Sequence, residues 1–141
     1  MRLPHGENRI RELHWLDQSK DIKAPEPVMA RPNFIELPTR DLAASQGFFE
    51  QVFGMKMTAF GPTYACTMTG DVDLGLQADQ KEASKAPLPV IEVKDLEATL
   101  VAVTAVGVAV TKPIFGFPGG RRFHFLDPSG NELAAMQVDP A

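Results

Sequence analysis

The pattern of apolar and polar positions changes period along the chain, and it does so twice in the same order. Residues 33–39 read as a strand. Asp41 then offers an N-cap to a helix whose Leu42, Ser45, Phe48, Phe49, Val52 and Phe53 recur at helical spacing as one inward stripe, closed by Gly54. Strand patterns follow at 55–59, 64–69 and 72–77, with Gly61-Pro62 and Gly70-Asp71 supplying turn chemistry between them. A charged linker, 78–87, leads to a strand at 88–94, after which Asp95 opens a second helix with Leu96, Leu100, Val103 and Val106 inward. The chain closes with a hairpin, 121–137. Its runs 122–126 and 132–137 flank Asp127-Pro128-Ser129-Gly130-Asn131, a cluster of turn-forming residue types. Strand alternation puts Arg122, His124 and Leu126 on one face of that hairpin and Phe123 and Phe125 on the other.

The recurrence is an internal repeat. Residues 34–42 match 88–96, with Asp41 over Asp95, and residues 70–77 lie over 130–137, with the extra residues of the second copy assigned to a Gly-rich loop at 115–120. The expected fold is α+β: two tandem βαβββ repeats, 33–78 and 88–138, whose paired sheet curves with its helices outside, because neither repeat can bury its sheet face alone. They form one domain, 33–141. Residues 1–32 are set apart as an appendage, a short amphipathic helix carrying Ile10, Leu13 and Leu16 followed by a Pro-rich linker. Met29 is an alternative natural start.

Composition narrows the partners. A net charge of −4 and a pI of about 5.3 argue against nucleic acid and mildly favour cationic ligands. Cys66 is the single cysteine, which forbids an intrachain disulfide and a cysteine-based zinc cluster and fits a reducing compartment. No apolar run reaches the roughly 18 residues of a membrane span. Glu7, Glu12 and Asp17 interrupt any signal-peptide core, so the expected location is the cytoplasm, with no membrane partner.

Two sets of motifs carry a family resemblance: Asp41-Leu42 followed by Phe48-Phe49-Glu50 and Phe53-Gly54, and Phe125-Leu126-Asp127-Pro128-Ser129-Gly130-Asn131-Glu132-Leu133. In these the chain resembles, over about residues 33–138, the vicinal oxygen chelate superfamily of glyoxalase I, extradiol dioxygenases, fosfomycin-resistance transferases and bleomycin-resistance proteins. The resemblance implies a glyoxalase-like fold and a pocket on the concave sheet face. It also implies four metal-ligand positions, which here hold Phe34, Leu74, Leu88 and Ala134. Hydrocarbon side chains offer a divalent ion no oxygen or nitrogen donor, so neither a metal nor another cofactor is expected. A homodimer is expected, as the family implies and as two-fold assembly is the commonest.

Alternation anchored on those positions predicts the concave lining: Phe34, Glu36 and Pro38; then Tyr64 and Cys66; then Val72, Leu74 and Leu76. The second repeat adds Leu88, Val90 and Glu92, then Arg122 and His124, then Ala134 and Met136. The candidate ligand contacts among these are Phe34, Glu36, Tyr64, Leu74 and Leu88, with Glu92, Arg122, His124, Ala134 and Met136. His124 and Glu36 are the candidate acid and base; the plainer readings are a bonded half-buried histidine and an ion-pair partner of Arg122. Arg122 suits a carboxylate or phosphate, and equally a structural salt bridge. Cys66 reads as a small buried hydrophobe rather than a nucleophile, since no basic neighbour is near in sequence. Arg121 is expected to point away. Phe115 and Phe117 are read as closing aromatics on a mobile lip. Three functions fit: metal-independent binding of a small organic molecule, as in the bleomycin-resistance branch; metal-free lyase or isomerase chemistry; or a scaffold or regulatory subunit whose pocket is filled by Phe34, Leu74 and Leu88.

Overall fold

Two aspartates start the two helices by the same device. Asp41 precedes α1 (Leu42–Phe53) and Asp95 precedes α2 (Leu96–Ala105); each has an extended backbone and accepts through Oδ1 from the N–H of Ala44 or Ala98 at 3.0 Å. Each bond satisfies an amide that a helix start leaves without a partner. α1 ends on Gly54 at φ 68°, a left-handed conformation that costs glycine no Cβ clash. The computed structural model describes residues 30–140, so residues 1–29 of the expected appendage lie outside the described residues.

Eight strands form one sheet: β1 (Arg31–Pro38), β2 (Met57–Ala59), β3 (Tyr64–Thr67), β4 (Asp73–Gln77), β5 (Leu88–Glu92), β6 (Val110–Phe117), β7 (Gly120–Leu126) and β8 (Glu132–Val138). Their order is β2-β3-β4-β1-β5-β8-β7-β6. β1 and β5 pair antiparallel at the centre, and each pairs in parallel with the last strand of its own repeat, β4 or β8. The duplicated βαβββ architecture read from the sequence is therefore the observed one. β1 takes in Arg31 and Pro32, which the pattern assigned to the linker, and has a register shift between Pro32 and Phe34.

The sheet is strongly curved. β1 and β7 are separated by β5 and β8, a span of about 14 Å measured flat at the usual strand spacing. Yet Arg122 on β7 reaches Glu36 on β1, with Nη1 3.4 Å from Oε1. On the convex side α1 covers Met57, Ala65 and Leu76 with Leu42 and Phe49, and α2 places Leu96 against Phe123 and Ala135. On the concave side Leu88, Val90 and Ala134 pack with Phe34 and Met136.

Two expectations about the helices change. Phe48, Val52 and Phe53 are 52%, 60% and 60% exposed rather than inward, and Val106 caps α2 in the open. β2, β3 and β4 are strands of three to five residues, so α1 meets less sheet than its apolar stripe could cover. The expected lip at 115–120 is also corrected. Phe115 and Phe117 belong to β6, paired with Arg122 and Gly120, and only Pro118 and Gly119 separate β6 from β7. The extra residues of the second repeat lengthen β6, which absorbs them through two register shifts.

Candidate functional site

Residues paired across neighbouring strands share a face, so the register fixes which side chains meet. Phe34 pairs with Val90 and Glu36 with Leu88; Val90 pairs with Ala134; Ala134 pairs with His124, and Met136 with Arg122. On the other wing Glu36 pairs with Gly75, Gly75 with Cys66 and Gln77 with Tyr64. Phe34, Glu36, Tyr64, Leu88, Arg122, His124, Ala134 and Met136 therefore lie on one concave face. Glu92 shares it at the margin, where it accepts from Asn33 Nδ2 at 3.3 Å and stands 3.6 Å from an Arg31 guanidinium nitrogen.

Leu74 is not on that face. It pairs with Ile35, and Leu76 with Leu37, both on the convex side, while Val72 precedes β4 and is exposed. The repeat alignment used Gly70 and Gly130 as equivalent turn glycines. However, the residue opposite Glu36, Gly75, lies five positions after Gly70, whereas Ala134, opposite Val90, lies four after Gly130. A one-residue slip exchanges the two faces of a strand. The Asp73 carboxylate sets the start of β4 by accepting from Thr67 Oγ1, from Thr69 N and Oγ1, and from Gly70 N. The counterpart of Ala134 is thus Gly75. A Cβ there would lie 2.5 Å from Phe34 Cζ and 2.6 Å from Tyr64 Oη, so the two rings cross over bare backbone.

The polar groups on this face are enclosed and incompletely paired. Glu36 is 3% exposed; its Oε1 meets Arg122 Nη1, but Oε2 and Arg122 Nε have no hydrogen-bond partner among the described residues. The Arg122 guanidinium lies 5.4 Å from the Phe115 ring centre and 5.6 Å from that of Phe117. His124 is fully buried, its Nδ1 3.0 Å from Glu132 Oε2, its ring 5.7 Å from Phe115, and its Nε2 unpartnered among the described residues. Asn33 Oδ1 is a fourth such atom. Sequence reasoning missed Asn33 because the register shift at Pro32 and Phe34 turns it inward against strict alternation. Arg121 points the other way, as expected, and there forms an ion pair with Glu97 of α2.

Burial holds the His124 imidazole below its ordinary pKa, with the Arg122 and Lys112 charges adding to the effect and the Glu132 hydrogen bond opposing it. Tyr64 is pushed above its ordinary value by burial and by the Glu36 charge. Burial and Asp73 raise the Cys66 thiol, which makes it a poor nucleophile. Between the lowered folded pKa of His124 and the unfolded value of about 6.5, the unfolded chain binds more protons, so stability falls as pH drops through that window. Thermal midpoints from about pH 7.5 to about pH 5 should fall more for the wild type than for His124→Gln. Equal slopes would contradict this. Glu97, hydrogen-bonded by Arg121, and Asp127, hydrogen-bonded by Asn131, lie below the usual carboxylate values and lose their contributions only at lower pH.

The donor set does not fit the metal that the resemblance implies. The four positions hold Phe34, Gly75, Leu88 and Ala134, none with an oxygen or nitrogen donor in its side chain, and Phe34 fills the space between them with Leu88, Val90 and Ala134. Among the described residues no three His, Cys, Asp or Glu side chains gather closely enough to hold an ion. A separate cleft of about 700 Å³ lies between 81–87 and the β7–β8 turn, lined by Lys81, Ser84, Lys85, Thr111, Lys112 and Asn131 among others. It adjoins the concave face through Lys112, Leu126 and Glu132, and its lining does not include Glu36, Tyr64, Arg122 or His124.

The sequence profile of the Glyoxalase/Bleomycin resistance protein/Dioxygenase superfamily matches residues 31–135. No curated protein matches the chain. Similar solved structures include methylmalonyl-CoA epimerase from Mycobacterium tuberculosis, 14% identical with a TM-score of 0.64, over 86% of this chain and 96% of that one. A superfamily member from Vibrio splendidus 12B01 is 19% identical at TM-score 0.58, over 78% of this chain and 98% of its own. The Mn(II)-bound glyoxalase from Novosphingobium aromaticivorans is 17% identical at 0.59, over 80% of this chain and 44% of its own. At these identities the likeness is one of fold.

Proposed function

The chain belongs to the Glyoxalase/Bleomycin resistance protein/Dioxygenase superfamily, and from that premise we propose that it binds a small organic molecule on its concave face, without the divalent metal of its metal-dependent relatives. The observation that carries this reading is the half-made contact between Arg122 and Glu36. A structural arginine–carboxylate pair in an apolar setting commonly closes with two parallel hydrogen bonds. Here a single contact at 3.4 Å leaves Glu36 Oε2 and Arg122 Nε without partners among the described residues, as are His124 Nε2 and Asn33 Oδ1 on the same face. Buried polar atoms without partners are costly, and a ligand that matches them removes that cost.

A thermal-shift screen of small organic molecules on chelator-treated protein tests the proposal. A ligand present at 100 times its Kd should stabilise the fold by about 2.7 kcal/mol, and the shift should shrink in Glu36→Gln and His124→Gln. Shifts that require added metal would contradict the reading. A second reading, metal-free lyase or isomerase chemistry by His124 and Glu36, is favoured by the Glu132 contact that orients the His124 ring. It predicts slow exchange of a ligand C–H for solvent deuterium, abolished in His124→Gln.

The proposal includes a cytoplasmic homodimer. The exposed apolar face of Phe48, Val52 and Phe53 supports assembly, and the single cysteine supports a reducing compartment. Sedimentation at one protomer mass would contradict the first, and recovery outside the cytoplasmic fraction the second.

A further inference from the structure

Glu132 opens β8 at the rim of the concave face and faces two ways. Its side chain is 30% exposed and lines the 700 Å³ cleft, yet its Oε2 stands 3.0 Å from Nδ1 of the fully buried His124. The same oxygen accepts from Thr111 Oγ1 at 3.0 Å, which steadies the carboxylate from β6. A carboxylate oxygen only accepts, so the hydrogen in the contact belongs to Nδ1. A neutral imidazole protonated at Nδ1 carries a lone pair at Nε2, and Nε2 is the ring atom left without a partner among the described residues. Among the described residues the other charged groups facing the ring are Lys112 from β6 and Arg122 from its own strand; both disfavour the imidazolium, as burial does.

We infer that Glu132 is a positioning residue that fixes His124 in its Nδ1–H tautomer, so that Nε2 presents a hydrogen-bond acceptor to the concave face. The consequence for ligand choice rests on the binding reading above. A molecule in contact with Nε2 must bring a donor there, an alcohol O–H, an amine or an amide N–H, and one that aims a carbonyl or carboxylate oxygen at that point is refused. Arg122 Nε, two residues away on the same face of β7, asks for the opposite, an acceptor. The preferred ligand class therefore carries both a donor and an acceptor, one for each of these atoms.

Long-range proton–nitrogen NMR on the ¹⁵N-labelled full chain reads the tautomer directly, with the His124 signals identified by their loss in His124→Gln. At about pH 7.5, above the unperturbed histidine value, the wild type should show Nε2 unprotonated and Nδ1 protonated. Glu132→Leu should move the proton to Nε2 or average the two forms, while Glu132→Gln, which keeps an accepting oxygen, should restore the wild-type pattern. Glu132→Gln should also titrate His124 at lower pH than the wild type, because the carboxylate charge that favours the imidazolium is gone; this arm decides the matter if Glu132→Leu does not fold. A wild-type Nε2–H, an unchanged tautomer in Glu132→Leu, or an unchanged titration in Glu132→Gln overturns the inference. No ligand enters the measurement, so a failed ligand screen and a failed tautomer assignment are told apart.

Discussion

Arg122→Met should destabilise the fold by about 3–5 kcal/mol, because it leaves the buried Glu36 carboxylate without its counter-charge. Methionine keeps a flexible chain between Phe115 and Phe117, so lost packing contributes little and the effect isolates the charge. The double variant Glu36→Gln/Arg122→Met should regain most of the loss, since it removes both charges from the apolar setting. Urea unfolding of the two singles and the double gives the coupling energy. A loss below about 1 kcal/mol for Arg122→Met, the range of an exposed pair, would mean that Glu36 reaches water. Both single variants should also show a smaller ligand-induced thermal shift, which ties the pair to binding as well as to folding.

Phe123→Ala should cost about as much, roughly 3–5 kcal/mol, for a different reason. Phe123 is fully buried against Leu96 of α2 and Ala135, with Phe125 at 5.7 Å between ring centres, so truncation opens a cavity beneath the helix. It is the chain neighbour of Arg122 and His124 but stands on the opposite face of β7. Under conditions where the variant remains folded, its ligand affinity should match the wild type, while its midpoint in urea falls. Loss of binding together with stability would show that the two faces of β7 are not mechanically separate.

That separation was readable from the sequence because β7 is a regular seven-residue strand between Gly120 and Leu126 and its alternation needs no outside information. The helix starts were readable for the same reason, since a cap is a contact over three residues. The misplacement of Leu74 has the opposite cause. Which face a strand of five residues presents depends on where its turn releases it, and the Asp73 hydrogen bonds that decide this link residues across a hairpin. Phe115 and Phe117 looked like loop residues because Gly116, Pro118, Gly119 and Gly120 surround them; pairing with β7 outweighs that local composition. Asn33 entered through a register shift between β1 and β5, strands 54 residues apart in their matched positions, and no local signal marks it. The contact of Glu36 with Arg122 joins strands that are not neighbours in the sheet, which strand patterns do not encode.

The cleft beside 81–87 makes the location of binding a sharp question, because it is roomy and the concave face is filled by Phe34 and the Arg122–Glu36 contact. Amide and side-chain NMR shifts of the labelled, chelator-treated protein on titration with the strongest ligand from the screen answer it. Binding as proposed moves signals of Asn33, Glu36, Arg122 and His124 most, with Phe34 shifting as its ring gives way; changes confined to Lys81, Ser84, Lys85 and Asn131 would contradict it.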